Sequence, residues 1–196
     1  MIFFGAESGS DATLVEMQKG ITTEQTLIMA RRTRQFGIIP EFSFVVGNPK
    51  DPERDTTETL RFIRKIKRIN PDSEIIVQHY TPTPQKGAMY GEVDDKIDFP
   101  DSPAEWATKQ WMDFTLRIDT SAPWLKRKTK RLIDDFELVV ASRWPTVQDI
   151  RAPQWSRTLL KVLSSWRYAF RLYGHPYELQ LAHQFINLRK PKRESL

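Results

Sequence analysis

Three short runs of aromatic and β-branched residues, separated by helical patterns, constrain this chain more than any other feature. Ile2-Phe3-Phe4 is the first, and it reads as a truncated strand. Glu41-Phe42-Ser43-Phe44-Val45-Val46 is the second, closed by the turn signal Gly47-Asn48-Pro49. The third runs from Glu74 to Tyr80 and is punctuated by Thr81-Pro82-Thr83-Pro84. Between the first two, Thr22 to Phe36 has a helical pattern, with Thr22 and Gln25 spaced as a capping box and Gly37 as a stop. Between the second and third, Asp55 and Glu58 read as the cap of another helix, with Leu60, Ile63, Ile66 and Ile69 near helical spacing and Pro71 at its end. Residues 1–85 therefore read β-α-β-α-β, an order that predicts a parallel sheet with right-handed crossovers. Three parallel strands make a poor domain by themselves. The expectation is an α/β unit that is part of a barrel or of an open sheet.

After a loop at residues 86–102, which contains Gly87, Gly91 and several aspartates, strand signals nearly vanish. Ser102-Pro103-Ala104-Glu105 is a strong helix start, with a serine cap, a proline in the first turn and a glutamate at the third position. Helical patterns follow at about 103–118, 123–142, 155–173 and 176–188. The expected division is residues 1–85, a linker at 86–102, and an all-helical region at 103–196.

The 196 residues suffice for one ordinary domain with an appendage. Hydrophobic residues are 39% and charged residues 28%, a globular balance rather than a disordered one. No apolar run reaches the ~20 residues of a membrane span. No signal-peptide layout stands at the N-terminus, so a cytoplasmic location is the expectation. Cysteine is absent. Within this chain that excludes disulfides, a cysteine nucleophile, a thiolate zinc site and a cysteine-held iron–sulfur cluster. The net charge is +5, and basic residues dominate from Lys126 onward, ending in Arg189-Lys190-Pro191-Lys192-Arg193. Such a tail suits nucleic acid, an anionic membrane, an acidic partner domain or, more plainly, a solvated helix face and terminus.

Parallel sheets gather ligands at the C-terminal ends of their strands. Those ends carry Glu7 and Ser8, then Gly47 and Asn48, then Tyr80 and Thr81. Glycines at 5, 9 and 47 permit close backbone approach to a ligand, and Glu7 and Ser8 have the groups to bond a ribose. Each residue also has a plain reading: Glu7 as a solvated loop residue, Gly47-Asn48-Pro49 as a simple turn. His79, His175 and His183 lack metal-ligand spacing. His79 lies beside the strand ends, where a histidine can touch substrate, but reads more simply as a core or strand-surface histidine, and His175 reads as a turn residue before Pro176. No phosphate-cradling glycine loop and no Ser-His-Asp arrangement is present.

Phe4-Gly5-Ala6-Glu7-Ser8-Gly9-Ser10-Asp11, then Met17-Gln18-Lys19-Gly20-Ile21-Thr22, then Phe44-Val45-Val46-Gly47-Asn48-Pro49 resembles the second half of a radical S-adenosylmethionine (SAM) core. The likeness is closest to the branch with an N-terminal cobalamin-binding domain. It covers residues 2–85. The tail, with Trp166-Arg167-Tyr168 and Pro176-Tyr177-Glu178-Leu179, is similar to the C-terminal regions of that branch. The resemblance implies a partial (β/α) TIM-type barrel of about three strands. It implies that Glu7 and Ser8 contact the SAM ribose and methionyl part, and that Lys19 meets the methionyl carboxylate. It implies that Tyr80 and Thr81 touch adenine through backbone groups. The family's Gly-x-Ile-x-Gly-x-x-Glu strand reads here Ser43-x-Val45-x-Gly47-x-x-Lys50. The first glycine, the isoleucine and the glutamate are changed, and Glu53 is the nearest stand-in for the last. Ser43 then reaches a hydroxyl, and Val45 offers an apolar face to the base.

The family holds its 4Fe-4S cluster on three cysteines of a Cys-x-x-x-Cys-x-x-Cys loop, and none is present. The expectation is therefore a C-terminal piece of a longer enzyme, Met1 being a cut or misplaced start. Its partner is the upstream half that carries the cluster and cobalamin, its substrate small and organic or lipid-like, and its reaction methyl transfer or cyclisation. None of the residues named is a chemical actor; the piece alone is expected to be inactive.

On a helical wheel Leu159, Val162, Leu163, Trp166, Ala169, Phe170 and Tyr173 share one face, opposite Arg157, Lys161, Arg167 and Arg171. The favoured expectation is that this apolar face packs on the barrel or on a neighbouring helix. A peripheral membrane contact is the alternative. Nucleic acid is set aside, since no recognised module is present. The rival to the enzyme reading is a non-catalytic interaction module whose basic helical tail docks on a membrane or a partner protein.

Overall fold

In the computed structural model, residues 1–81, 98–115, 125–145 and 153–186 are described. Three parallel strands, β1 (Ile2–Glu7), β2 (Pro40–Val46) and β3 (Glu74–His79), form one sheet in the order β1-β2-β3. The register sets Phe4 beside Phe42 and Phe42 beside Ile75, and a further row runs Gly5, Ser43, Ile76. A register shift between Gly5 and Glu7 ends the regular pairing of β1. The sheet is open: three strands with helices, not a closed barrel.

Helices α1 (Asp11–Glu16), α2 (Thr23–Gln35) and α3 (Pro52–Ile69) supply the crossovers. The capping box at α2 forms as expected. Gln25 N donates to Thr22 Oγ1 at 3.3 Å, and Thr22 N donates to Gln25 Oε1 at 2.9 Å. Gly37 then takes a left-handed φ of +64°, which lets the chain turn back toward β2. Helix α3 corrects the sequence reading. Its cap is Asp51, which accepts from Arg54 N at 3.1 Å, and Pro52 holds the first turn. Asp55 therefore lies a turn inside the helix, and it is buried. Leu60, Ile63 and Ile66 are buried as the spacing predicts, with Ile69 half-buried. The helix ends at a buried lysine: Lys67 Nζ donates to the carbonyls of Pro71 (3.0 Å) and Ser73 (2.5 Å) and lies over the Trp144 ring. Burial pulls its ammonium pKa down to about 8.

The helical region is built from α4 (Pro103–Trp106), α5 (Lys109–Thr115), α6 (Arg127–Arg143), α7 (Gln154–Phe170) and α8 (Tyr177–Ile186). Ser102 caps α4, accepting from Glu105 N at 3.3 Å. The single helix expected over 103–118 is broken at Ala107 and Thr108. Thr108 Oγ1 bonds back to Glu105 O at 2.8 Å, and Phe99, Trp106, Trp111 and Phe114 close a mutual aromatic cluster across the break. Most of the 86–102 loop, including Gly87 and Gly91, and the Arg189–Arg193 basic run lie outside the described residues.

One apolar core joins both parts. Phe42, Phe44, Val46 and Val77 from the sheet meet Leu60, Ile63 and Ile66 of α3, and the same cluster continues through Ile133, Phe136 and Val139 of α6 to Leu160 and Leu179. At the alternate strand positions, Glu41, Val45, Ile76 and Gln78 are half-buried, while Ser43 and Glu74 are buried. So among the described residues one face of the sheet is packed more fully than the other.

The helical-wheel reading of α7 needs correction. Leu159, Val162, Trp166, Ala169 and Phe170 point outward, with Trp155 in line, while Ser156, Leu160, Ser164 and Arg167 are buried. Of the expected face only Leu163, half-buried, and Tyr173, buried beyond the helix end, turn inward. The reason is Arg167. Its guanidinium forms an ion pair with Glu178 and donates to the carbonyls of Leu172 (3.1 Å), Gly174 (3.0 Å) and His175 (3.1 Å). A buried cation with every donor used fixes the α7–α8 turn, and the helix rotates to suit it. No helix among the described residues is long and apolar enough to cross a membrane.

Candidate functional site

A carboxylate that sequence reading assigned to a helix cap organises the strand ends. Asp55 Oδ1 accepts from Ser8 Oγ at 2.9 Å. Its Oδ2 accepts from Asn48 Nδ2 at 2.7 Å, Gly47 N at 3.1 Å and Asn48 N at 3.3 Å. One side chain of α3 thus ties the loop after β1 to the loop after β2. Burial pushes the Asp55 carboxyl above its ordinary range, and the donors from Asn48 and Ser8 oppose that push. The signal that could have found it is local: Asp51-Pro52 is the better helix start, and it moves Asp55 inside.

Thr59, one turn on, completes the tie. Its hydroxyl accepts from Gly9 N at 2.9 Å and lies 3.3 Å from Ser8 Oγ. A Cβ on Gly9 would stand 2.4 Å from Phe62 Cβ and 2.7 Å from Thr59 Cα. The close approach at Gly9 is therefore to helix α3, not to a ligand. Ser8 is fully buried; besides these contacts its Oγ accepts from Ser10 N at 3.1 Å.

Glu7 and Lys19 are brought together at the other side of the first loop. Lys19 Nζ bonds Glu7 Oε1 at 2.7 Å, with both side chains partly open to solvent. Glu7 takes a left-handed φ of +59°, unusual for a residue with a Cβ. The twist points its carboxylate over Gly5, where an added Cβ would lie 2.6 Å from Glu7 Oε1 and 3.3 Å from Lys19 Nζ. A carboxylate and an ammonium held side by side can bond a hydroxyl and a carboxylate of one ligand.

Gly47 has φ +78°, which only glycine adopts readily, and its N–H is directed at Asp55. Ser43 and Val45 lie on the less covered face of β2, Ser43 itself buried and Val45 half-buried opposite Gln78. Tyr80 N extends the ladder by donating to Val46 O at 2.9 Å. Thr81 Oγ1 turns back to His79 O at 3.3 Å. Two other residues are engaged in ion pairs of their own. Glu53 pairs with Lys126 at 2.7 Å, and Lys50 with Glu16 at 2.9 Å. His79 is buried on the helix-covered face, its Nε2 3.2 Å from Asp134 Oδ1 of α6. His175 N donates to Asp135 Oδ2 at 2.8 Å in the turn before Pro176, and His183 Nε2 lies 2.9 Å from Ser142 Oγ. Among the described residues no group of His, Asp and Glu has the arrangement to hold a metal.

No family model matches the chain. Part of it is similar to two enzymes by name. It is 31% identical over 65 residues, 33% of this chain, to a protein of Pyrococcus horikoshii named an uncharacterized methyltransferase. It is 37% identical over 62 residues, 32% of this chain, to a protein of Methanocaldococcus jannaschii whose name assigns it provisionally to the methylthiotransferases. The match covers 14% of the length of each relative, and in both the name is that of an enzyme that transfers a methyl-bearing group.

Proposed function

We propose that this chain is the C-terminal part of a radical SAM enzyme of the cobalamin-binding branch. Residues 1–85 are the back wall of its barrel, 86–102 a linker and 103–196 a helical appendage. The observation that carries the reading is the convergence of Glu7–Lys19, Gly47 and Tyr80–Thr81 at the C-terminal end of a parallel sheet of which one face is packed more fully than the other among the described residues. Parallel sheets are ordinarily covered on both faces, so the upstream half of the enzyme is the partner that the other face receives.

In this reading Lys19 Nζ leaves Glu7 for the ligand's carboxylate, a point-charge contact that a flexible ammonium makes well. Glu7 then accepts from the ribose hydroxyls. Val45 lies against the adenine, Ser43 reaches a hydroxyl, and the Gly47 and Tyr80–Thr81 backbone forms the rim. Ser8 positions the first loop through Asp55. SAM, with an electron from a 4Fe-4S cluster, supplies the radical chemistry when bound. This chain has no cysteine, so its own residues do not fit the cluster. The ligands, and the cobalamin domain, belong to the upstream half. The names of the two partial relatives support transfer of a methyl-bearing group.

Calorimetry tests the reading with this chain and with a form extended upstream into cysteine-bearing sequence and loaded with iron. SAM binding by the extended form alone, weakened by Lys19→Met, is the expected result. Failure of both forms to bind overturns it. A second reading, a non-catalytic interaction module, is favoured by the outward stripe Trp155, Leu159, Val162, Trp166 and Phe170 on α7, whose sequence contains no acidic residue.

A further inference from the structure

Helix α3 changes character halfway along. Its first half pairs its charges, with Arg54 and Glu58 2.9 Å apart. Its second half places Arg61, Arg64, Lys65 and Arg68 at the i, i+3, i+4, i+7 spacing of one helical stripe. Each of these cations has like-charged neighbours one turn away, an arrangement that a bare helix disfavours. They line a hollow of about 440 Å³ whose far side holds Arg171 and Tyr173. Leu60 and Leu132 are its apolar lining, Thr57 lies beside them, and no carboxylate among the described residues lines it.

One cation of the hollow, Arg64, is held in place by the fold. Arg64 Nη1 donates to the carbonyl of Tyr168 at 2.5 Å and to the Tyr173 hydroxyl, and its guanidinium lies 4.2 Å from the Tyr168 ring centroid. Arg171 closes α7 in a left-handed conformation, φ +60°, a place where glycine is the usual residue. The outcome is a site with five cations, four of them guanidiniums, a group that bonds phosphate oxygens in pairs, and two hydroxyls, from Thr57 and Tyr173.

We propose that this hollow, remote in sequence from the Glu7–Lys19 end, binds a diphosphate group. The source is either a soluble organic diphosphate, with its apolar part on Leu60 and Leu132, or the phosphate headgroups of a lipid surface. The shared chemistry is two closely spaced phosphate anions in a cationic hollow that no carboxylate among the described residues lines. Nothing in this proposal depends on SAM chemistry.

The probe is inorganic pyrophosphate, titrated calorimetrically into the full chain at low salt. Saturable one-to-one binding is expected. The exposed triple variant Arg61→Gln, Lys65→Gln, Arg68→Gln is expected to lose at least tenfold in affinity. A control triple of equal charge away from the hollow, Arg31→Gln, Arg32→Gln, Lys50→Gln, should change it less than twofold. Arg171→Gly removes a further cation while suiting the left-handed backbone, so loss of binding there is not explained by misfolding. Vesicles of phosphatidylglycerol separate the two sources. Sedimentation with vesicles that pyrophosphate abolishes identifies the lipid headgroup; pyrophosphate binding without such sedimentation identifies a soluble ligand. No saturable heat with pyrophosphate overturns the proposal. So does equal loss in the two triples, or binding through these residues of a long RNA but not of pyrophosphate.

Discussion

Replacing Asp55 with alanine separates two accounts of helix α3. If Asp55 were the cap, as its spacing to Glu58 suggests, its loss would cost about 1 kcal/mol, the ordinary value for a cap. In the structure it accepts from four donors: Ser8 Oγ, Gly47 N, Asn48 N and Asn48 Nδ2. Each donor left buried without a partner costs about 1 kcal/mol or more, so Asp55→Ala is expected to cost roughly 4 kcal/mol. That is a large part of the ~5–15 kcal/mol by which domains are stable. Asp51→Ala is the internal standard, since Asp51 is the exposed cap of the same helix, and it should cost only about 1 kcal/mol. Urea unfolding followed by tryptophan fluorescence measures both. Equal losses for the two variants would refute the argument. The pH dependence gives a second check. Burial raises the folded-state pKa of Asp55, so its contribution is full below the unfolded carboxylate pKa and falls as pH rises through the folded value. Asp55→Asn, which stays neutral, should therefore trail the parent chain by more at pH 4 than at pH 7.

Lys67 titrates with the opposite sign. Its folded pKa of about 8 lies below the unfolded value near 10.4, so the unfolded chain holds the extra proton between them and stability rises with pH across that window. The full span is worth about 3 kcal/mol; Lys67→Met should flatten the rise between pH 8 and 10 in urea unfolding curves, and an unchanged slope would contradict the assignment. Gly9→Ala places a Cβ inside contact distance of the α3 backbone, and it is expected to cost about 1–3 kcal/mol by thermal unfolding. Gly20→Ala, with open space around it but φ +68°, isolates the cost of backbone strain alone.

The parallel sheet was legible because its evidence is local and repeated. Alternation of strand and helix patterns decides the order, and the Thr22–Gln25 box and Gly37 announce their own positions. The ends of the strands were legible for the same reason: glycine, glutamate and asparagine after an apolar run mark where a parallel strand stops. What binds those ends together was not. Asp55 meets Ser8 across 47 residues, and no pattern along the chain reports a partner at that distance. A one-turn error in the start of α3 was enough to turn the central acceptor of the site into an ordinary cap.

Helix α7 failed for a related reason. A helical wheel ranks faces by hydrophobicity, and by that rule Trp166 and Phe170 belong inside and Arg167 outside. The rule omits how many donors a guanidinium can satisfy at once. The turn after α7 presents the carbonyls of Leu172, Gly174 and His175 and the Glu178 carboxylate around one point. Only a long cation with a planar fork fills that point, and its burial turns the aromatic stripe outward. The same substitution of electrostatic for apolar logic holds on α3, where Lys67 is buried on backbone carbonyls while Arg61, Lys65 and Arg68 stay at the rim of a hollow. In this chain, then, cations decide the rotation of helices that hydrophobic spacing leaves open. The surfaces so exposed, an aromatic stripe on one helix and a cationic bowl on another, are where partners should be sought before the strand ends are read for chemistry alone.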